Sequence, residues 1–491
     1  MDPVTLGMAK SDAAKKYAPL QPQPVTIPSG LGWDQANYPL SMTITDLPGM
    51  ARAFGTSSLT PESAFDAKST ARTAPGTTLW VDPLTGNDST GDGTSGAPYK
   101  SGGKAQAVAN AAGLPATIFT RATATMFRGN NPTNNAGTGG QFPTVDTAWI
   151  AVGGRVNTGT MDTSWTTALD GTYTRCYKTA ASITASTINR VVDMQNLNRY
   201  GNYTELTNVA SADLCNNTPD SWYHHTDGFL YINRRDGATA TTTNTRFYRS
   251  ASTSFSLRTG VNLYIGGQTG NDGWDVEGGH AYGPLEVTPT AVAGSEKVVA
   301  VSNCSFKYGG GKIDNTVGRG ISVDNWRGLA IFSNCRTDAS LTDGLNFHNS
   351  LGSPKMLVLT INCSSTDNGR PGQQSCNSHT LHENVIAIDL CSEFRDSHGG
   401  SIRNIGTSKA FYAGTFLDND FGDFGLGGGG VVRPTLVRVD DTAEIWLDRV
   451  RPKAPSGAYV FHAAAAGSKI HRRNCWPHPQ PATAGGTVDN Y

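Results

Sequence analysis

Four polar residues close to predicted strand ends are the first place where this sequence could do chemistry. They are Asp324 in Val323-Asp324-Asn325, His348 in Phe347-His348-Asn349, Glu383 in His382-Glu383-Asn384 and Asn404 in Arg403-Asn404. If successive turns of a repeating coil carry them, Asp324, His348, Glu383 and Asn404 form one column with a spacing of about 5 Å per turn. Asp343, His379, Asp396, His398 and Arg395 fall in neighbouring turns. Carboxylates, imidazoles and guanidinium groups gathered over successive rungs suit cleavage of a glycosidic bond. Hydrolysis takes two carboxyl groups, one acting as acid and the other as base or nucleophile. Eliminative cleavage takes a base beside a cation that stabilises the developing enediolate. Glu383 and His348 lead the catalytic candidates, because His379-Thr-Leu-His-Glu383 concentrates titratable groups in one short strand; Asp324 and Asp343 complete them. His382, His398 and Arg403 are candidate binding residues, joined by Trp326 and Tyr412 as aromatic rings suited to pyranose faces. The same polar column would also serve simply to satisfy turn backbone, and both readings stand at this level. Strand alternation sends His382 and Glu383 to opposite faces and no third ligand is evident, so neither a metal nor a cofactor is expected.

The elements that must position these residues follow from a repeat. Asn-Cys pairs recur at Asn303-Cys304, Asn334-Cys335 and Asn362-Cys363, with Leu390-Cys391 and Asn474-Cys475 following. The cysteine steps are 31, 28 and 28 residues, and the last gap of 84 accommodates two cysteine-free rungs at Phe416–Asp420 and Ile445–Arg449. A fixed period in this range means a solenoid, a propeller or an array. The units hold short alternating strands separated by turn residues and no helical periodicity, which excludes helical repeats, and they are too short for propeller blades. The prediction is an all-β right-handed parallel β-helix. Its cysteines stack as small buried residues in a narrow interior, and its asparagines ladder their amides along the axis.

Composition agrees. The chain has 491 residues, of which 57 are Gly and only 16% are charged, as suits a turn-dense all-β protein. A net charge of −1 with interspersed signs gives no electrostatic footprint for nucleic acid, and no apolar run is long enough to insert in a membrane. The opening residues lack the layout of a secretory signal. The eight cysteines are expected to be reduced rather than a disulfide framework.

Residues 1–75 read as an N-terminal attachment segment, partly helical or extended, with a helical candidate at 8–17. Thr78–Asp82 is a predicted strand, Pro83–Gly93 a turn-rich loop and Ser101–Ala112 a small-residue helix. Asp88 and Asp92 lack the ligand spacing of an EF-hand, so their loop reads as a solvated turn. Residues 155–250 lose the rung pattern, and Asp220–Arg234 reads as an inserted β-hairpin turning at Thr-Asp-Gly. The coil spans 76–476 and a proline-stopped tail covers 477–491. The Gly425–Gly430 run is a loop and not a phosphate cradle, since no strand-to-helix context surrounds it.

The order of strand, Asp-Pro, Gly/Asn/Asp loop, Pro98-Tyr-Lys100 and helix resembles the entry module of the pectate-lyase-like right-handed β-helix superfamily. That resemblance implies an N-terminal capping helix that plugs the open end of the coil. Residues 76–476 further resemble the β-helix proteins of bacteriophage tail spikes and tail fibres, and Asp2–Tyr17 is similar to the start of many phage tail proteins. The resemblance implies a homotrimer in the virion tail, assembled in the host cytoplasm. It would attach to other tail proteins through residues 1–75 and bind bacterial surface polysaccharide as its receptor, with or without cleaving it. A stand-alone β-helix polysaccharide hydrolase or lyase is the alternative, and a spike with a purely structural role is a third.

Overall fold

The computed structural model describes residues 21–47, 52–132, 141–161, 165–169, 171–183, 188–249, 253–279, 283–289, 296–310, 318–352, 354–370, 376–419, 435–453, 459–475, 481–483 and 485–491. The predicted helix at 8–17, the glycine run at 425–430 and Trp476 lie outside them. Among the described residues the fold is all-β, dominated by three parallel sheets of 12, 9 and 8 strands. The chain visits the three sheets in turn. Lys297–Ser302 joins the twelve-stranded sheet, Cys304–Lys307 the eight-stranded and Ile321–Asp324 the nine-stranded, before Gly328–Ser333 returns to the first. Each circuit therefore adds one strand to each wall, paired in parallel with the strand of the circuit before.

Alternation along each strand sends one set of side chains into the space between the sheets. In the nine-stranded sheet the inward columns are Leu257, Val287, Val323, Phe347, Leu381, Asn404, Val439 and Ala463, and beside them Phe255, Leu285, Ile321, Leu345, His379, Ile402, Val437 and Phe461. These columns belong to one continuous apolar core. Near its beginning the core is filled by Trp149, Phe255 and Trp274, whose rings meet edge to face with centroids 5.0–6.1 Å apart.

The rung register corrects the sequence reading at one cysteine. Cys304, Cys335 and Cys363 do stack, flanked by the pairs Ser305↔Arg336 and Arg336↔Ser364. The next circuit pairs Ser364 with Glu393, which puts Ser392 in the column and moves Cys391 one place back. Thr415, Val450 and Cys475 continue the file. Cys391 instead takes the asparagine's place: Asn303, Asn334, Asn362, Cys391, Arg449 and Asn474 all have φ between 50° and 57°, and Gly414 has φ 69°. The turn requires left-handed backbone, which asparagine and glycine adopt most cheaply. That requirement explains the asparagines. Their amides do not ladder: Asn303 donates to Asp272 O, Asn362 bonds the backbone of Gly55, and Asn474 donates to Asp448. All eight cysteines are buried, and none is in a disulfide among the described residues.

The twelve-stranded sheet is apolar on its outer face as well, with Ala148, Tyr264, Ala300, Ile331, Leu359, Ile388, Phe411 and Trp446 in one file. A parallel sheet of this kind needs cover on both sides. Residues 21–47 and 52–75 supply it. Leu31, Trp33, Ile44, Phe65 and their neighbours pack on that file as a second apolar cluster. A three-stranded antiparallel sheet (Gln23–Val25, Met42–Asp46, Ala53–Ser57) and the helix Pro61–Asp66 carry them. The helix Gly102–Ala112 packs on the first two strands of the twelve-stranded sheet, with Ala105 and Ala109 buried beside Leu79, Val81 and Ile118. Asp88, read as part of a solvated turn, accepts from the N–H groups of Lys100 and Ser101 at the start of that helix. Ser101 caps the helix and Gly113, at φ 68°, ends it.

The insertion forms two small sheets, one antiparallel and one mixed, and its hairpin pairs Ser221–His224 with Leu230–Asn233. It begins later than its predicted boundary, because Arg155–Gly159 still pairs with Gly273–Glu277 in the eight-stranded sheet. Beyond residue 476, Pro481–Thr483 and Thr487–Asn490 pair in parallel with the preceding strands of two sheets and extend both.

Candidate functional site

The outer face of the nine-stranded sheet carries the polar residues singled out by the sequence. Register places Asp324, His348, His382 and Ile405 in one file. Ser322, Asn346, Thr380, Arg403, Arg438 and His462 form the file beside it. Glu383 and Asn404 are therefore not in the expected column. Asn404 is turned inward beside Leu381 and Val439, where its amide finds no partner among the described residues. Glu383 pairs with Asn349 at the strand end and reaches back toward the file.

What it reaches is His348. The Nε2 atom of His348 lies 2.8 Å from Glu383 Oε2, and its Nδ1 atom lies 3.8 Å from Asp324 Oδ1. The first is an ion-pair distance whose angle is too oblique for a hydrogen bond. The imidazole thus stands between two carboxylates, which are no more than about 9 Å apart, below the upper limit of about 9.5 Å for paired carboxyl groups in glycosidases. The three are not equally accessible. The side chains of His348 and Glu383 are 33% and 38% exposed, whereas Asp324 is 12% exposed. Asp324 is fixed from below: Arg319 Nη1 donates to both its oxygens at 3.1 Å, and Ser322 Oγ donates at 2.9 Å.

Glu383 has φ 56°. Left-handed backbone is unusual for a residue with a long side chain, and such conformations persist where the surroundings impose them, often at functional sites. Here the opposing surface is Gly406, itself at φ 72°; a Cβ on it would come 2.9 Å from Glu383 Cα. The two positions fit only because one of them is glycine.

The other predicted residues fall as follows. His382 follows His348 in the file, its ring 5.3 Å away and perpendicular; burial, helped by His348, Arg319 and Arg403, lowers its pKa to about 4. Arg403 donates to Asp440, which Arg438 also engages, so a cationic pair lies one and two strands beyond His382. Asp343 is buried, and its oxygens accept from Asn346 and from the backbone and amide of Asn377, a structural commitment. His398 is buried in a turn, with its N–H on Asn368 O. Trp326 and Tyr412 are fully buried in the core, so neither ring offers a face to a sugar. Trp326 donates to Leu329 O, and the hydroxyl of Tyr412 bonds Nδ1 of the interior His379 at 2.6 Å. Arg319 and Asp440 were missed by the sequence reading. Both lie outside the repeating register, and only the fold brings them to this face.

No family model matches the chain, and no curated protein matches it. Among solved structures it is similar to XylC, determined in complex with xylose, with a TM-score of 0.42 and 11% identity over 84% of this chain and 70% of that one. A structure described as a glycoside hydrolase gives 0.41 and 12% over 84% and 96%. The GH136 lacto-N-biosidase from Eubacterium ramulus gives 0.32 and 11% over 85% and 68%. At such values the likeness carries no activity across to this chain.

Proposed function

We propose that the chain is a right-handed parallel β-helix, capped at its start by the helix Gly102–Ala112, that binds polysaccharide along the nine-stranded face and hydrolyses it there. The observation that carries this reading is the Asp324–His348–Glu383 arrangement. It combines two carboxylates below the upper limit for glycosidase pairs, an imidazole between them, and a half-exposed glutamate held in left-handed backbone. In the proposed reaction Glu383 delivers a proton to the leaving glycosidic oxygen as its bond to the anomeric carbon breaks. Asp324 takes a proton from water as the water oxygen bonds that carbon from the opposite side. His348 positions Glu383, and Arg403 and Arg438 lie along the path of the chain's neighbouring sugars.

The experiment is incubation with bacterial surface polysaccharides, reading new reducing ends. Hydrolysis is expected, and Glu383→Gln is expected to slow it by roughly a hundredfold or more. A 4,5-unsaturated product, or a rate indifferent to Glu383→Gln and Asp324→Asn, would refute the assignment.

The setting we propose is a virion tail protein, trimeric and attached through residues 1–75, with the polysaccharide as host receptor. It rests on the resemblance of residues 2–17 and 76–476 alone. Analytical ultracentrifugation tests the trimer; a monomer at micromolar concentration would count against it.

A further inference from the structure

A second concavity lies on a different wall. The outer face of the eight-stranded sheet and the turn that follows the insertion strand Ile188–Leu197 frame an open cavity of about 320 Å³, lined by Arg52, Arg199, Tyr200, Arg336, Glu393 and Arg395 with two small hydroxyl residues. Arg336, Ser364 and Glu393 are register partners on consecutive circuits, and Thr366 and Arg395 pair two residues further along, on the same face. The sheet therefore builds the floor. Arg52, from the segment that covers the twelve-stranded sheet, and Arg199, from the insertion, form the sides. Four guanidinium groups from four distant stretches of chain converge here.

Like charges do not gather without compensation, and the carboxylates are present. Glu393 pairs with Arg52 at 3.2 Å and with Arg395; Asp396 pairs with Arg199 at 3.0 Å; Asp338 pairs with Arg336. The burial of the two sets is opposite. The arginine side chains are 38%, 53%, 39% and 42% exposed, whereas Glu393, Asp396 and Asp338 are 14%, 5% and 0% exposed. The acids are consumed in the floor. The cavity presents guanidinium edges to solvent beside Glu393; each guanidinium carries five N–H donors, part of which are spent inside the protein, Arg336 on Tyr200 O and Arg52 on Asn362 O. Such forks match planar or tetrahedral oxyanions in bidentate fashion. The volume lies at the lower end of the range for ligand pockets, about 300–1,000 Å³. The Ser364 hydroxyl adds a donor and acceptor of the kind that sugar hydroxyls meet, whereas the Tyr200 hydroxyl is held by Asp396 and Arg199 and that of Thr366 by Asp338.

We infer that this cavity is a subsite for an anionic sugar, a unit of a polysaccharide bearing a carboxylate, sulfate or phosphate group. The site is separate from Glu383, so the inference does not depend on the hydrolytic reading. The Arg395 guanidinium, which also lies over the Phe416 ring at 5.5 Å, and the more exposed Arg199 are the principal contacts.

The test is isothermal titration of the full chain with a galacturonate trisaccharide, a sulfated trisaccharide, a neutral glucose trisaccharide and inorganic phosphate. Binding of at least one acidic trisaccharide is expected, weakening as salt rises, and falling at least tenfold in both Arg199→Ala and Arg395→Gln. Circular dichroism and the melting temperature of the two variants establish that the coil is intact; were one to unfold, the other decides. The galacturonate and sulfate arms identify which oxyanion is preferred. Glu383→Gln is expected to bind the acidic sugar as the parent does, so a failure of hydrolysis and a failure of this subsite are separately visible. Equal affinity in parent and both arginine variants, equal binding of the neutral trisaccharide, or no binding of any acidic trisaccharide would overturn the inference. Inorganic phosphate binding as tightly as the acidic sugar would overturn its sugar component.

Discussion

His379 offers the sharpest test of how the interior is built. It occupies one place in an otherwise apolar inward file, between Leu345 and Ile402, and is fully buried. Its ring lies between Phe347 and Phe394, stacked on the latter at 11°, and its one described hydrogen bond is with the Tyr412 hydroxyl. Burial lowers its pKa from the ordinary 6.5 to about 3. A histidine whose folded pKa is depressed is neutral in the folded chain and takes up its proton on unfolding. It therefore removes stability as pH falls below 6.5, until the folded value is reached. From those two values the loss is about 2 kcal/mol at pH 5 and about 3 kcal/mol at pH 4, relative to pH 8.

Replacing both partners of the hydrogen bond, as in His379→Phe with Tyr412→Phe, leaves no orphaned polar atom and keeps the ring volume. At pH 8 the double variant should match the parent to within about 1.5 kcal/mol. At pH 5 it should have lost about 2 kcal/mol less than the parent. Asp389, buried nearby with Thr360 and Thr415 on its oxygens, has a raised pKa and so works in the opposite direction. It is present in both proteins and cancels in the comparison. Urea unfolding at pH 8 and pH 5, followed by tryptophan fluorescence, measures the gap. A parent and variant with the same pH dependence would refute the placement of His379 in the core.

Other expectations follow from single positions. Glu383→Asn keeps a residue suited to left-handed backbone, so it should stabilise the fold by about 1 kcal/mol in urea titration while abolishing reducing-end release; lost stability would contradict the backbone assignment. Gly55→Val should loosen the cover of the twelve-stranded sheet, because a Cβ there would lie 2.4 Å from Leu390 Cγ. Limited proteolysis should then cut within residues 21–75 and spare the coil; simultaneous digestion of both would argue against a separable cover. Cys176 and Cys215 are buried in the insertion with sulfurs 3.1 Å apart, and the contact with Cys176 holds the Cys215 thiol below its ordinary pKa. Diamide should therefore oxidise this pair to a disulfide before any thiol of the coil, as read by peptide mapping; a first crosslink among Cys304, Cys335 and Cys363 would contradict it.

The repeat was legible because interior positions tolerate few residue types and the turn tolerates fewer. Cys304, Cys335 and Cys363 mark the inside, and Asn303, Asn334 and Asn362 mark the left-handed turn. Cys391 misled because its neighbour Ser392 fits the interior equally well and cysteine took the turn. Circuit length also varies, with 23 residues from Ser392 to Thr415 and 35 from Thr415 to Val450, so counting in steps of 28 does not fix register. On the nine-stranded face, Asp324 and His348 were read as neighbours correctly. Asn404 and Glu383 were misread because a one-residue shift reverses the side of a strand. Trp326 and Tyr412 look like surface aromatics only when the twist and closure of the walls are ignored. The arginine cavity left one trace, Arg336 and Arg395 on the short strands that follow the turn. Arg52 and Arg199 reach it from segments with no repeat to index them.

In the proposed function Glu383 and His348 face a bound polysaccharide. Crystals of the Glu383→Gln variant soaked with an oligosaccharide that the parent cleaves would test this most directly. The prediction is a sugar chain lying across the nine-stranded sheet, its scissile oxygen within about 3 Å of the substituted side chain and its neighbouring units beside Arg403 and Arg438. A sugar chain bound only at another wall, with the space over His348 filled by solvent, would contradict it.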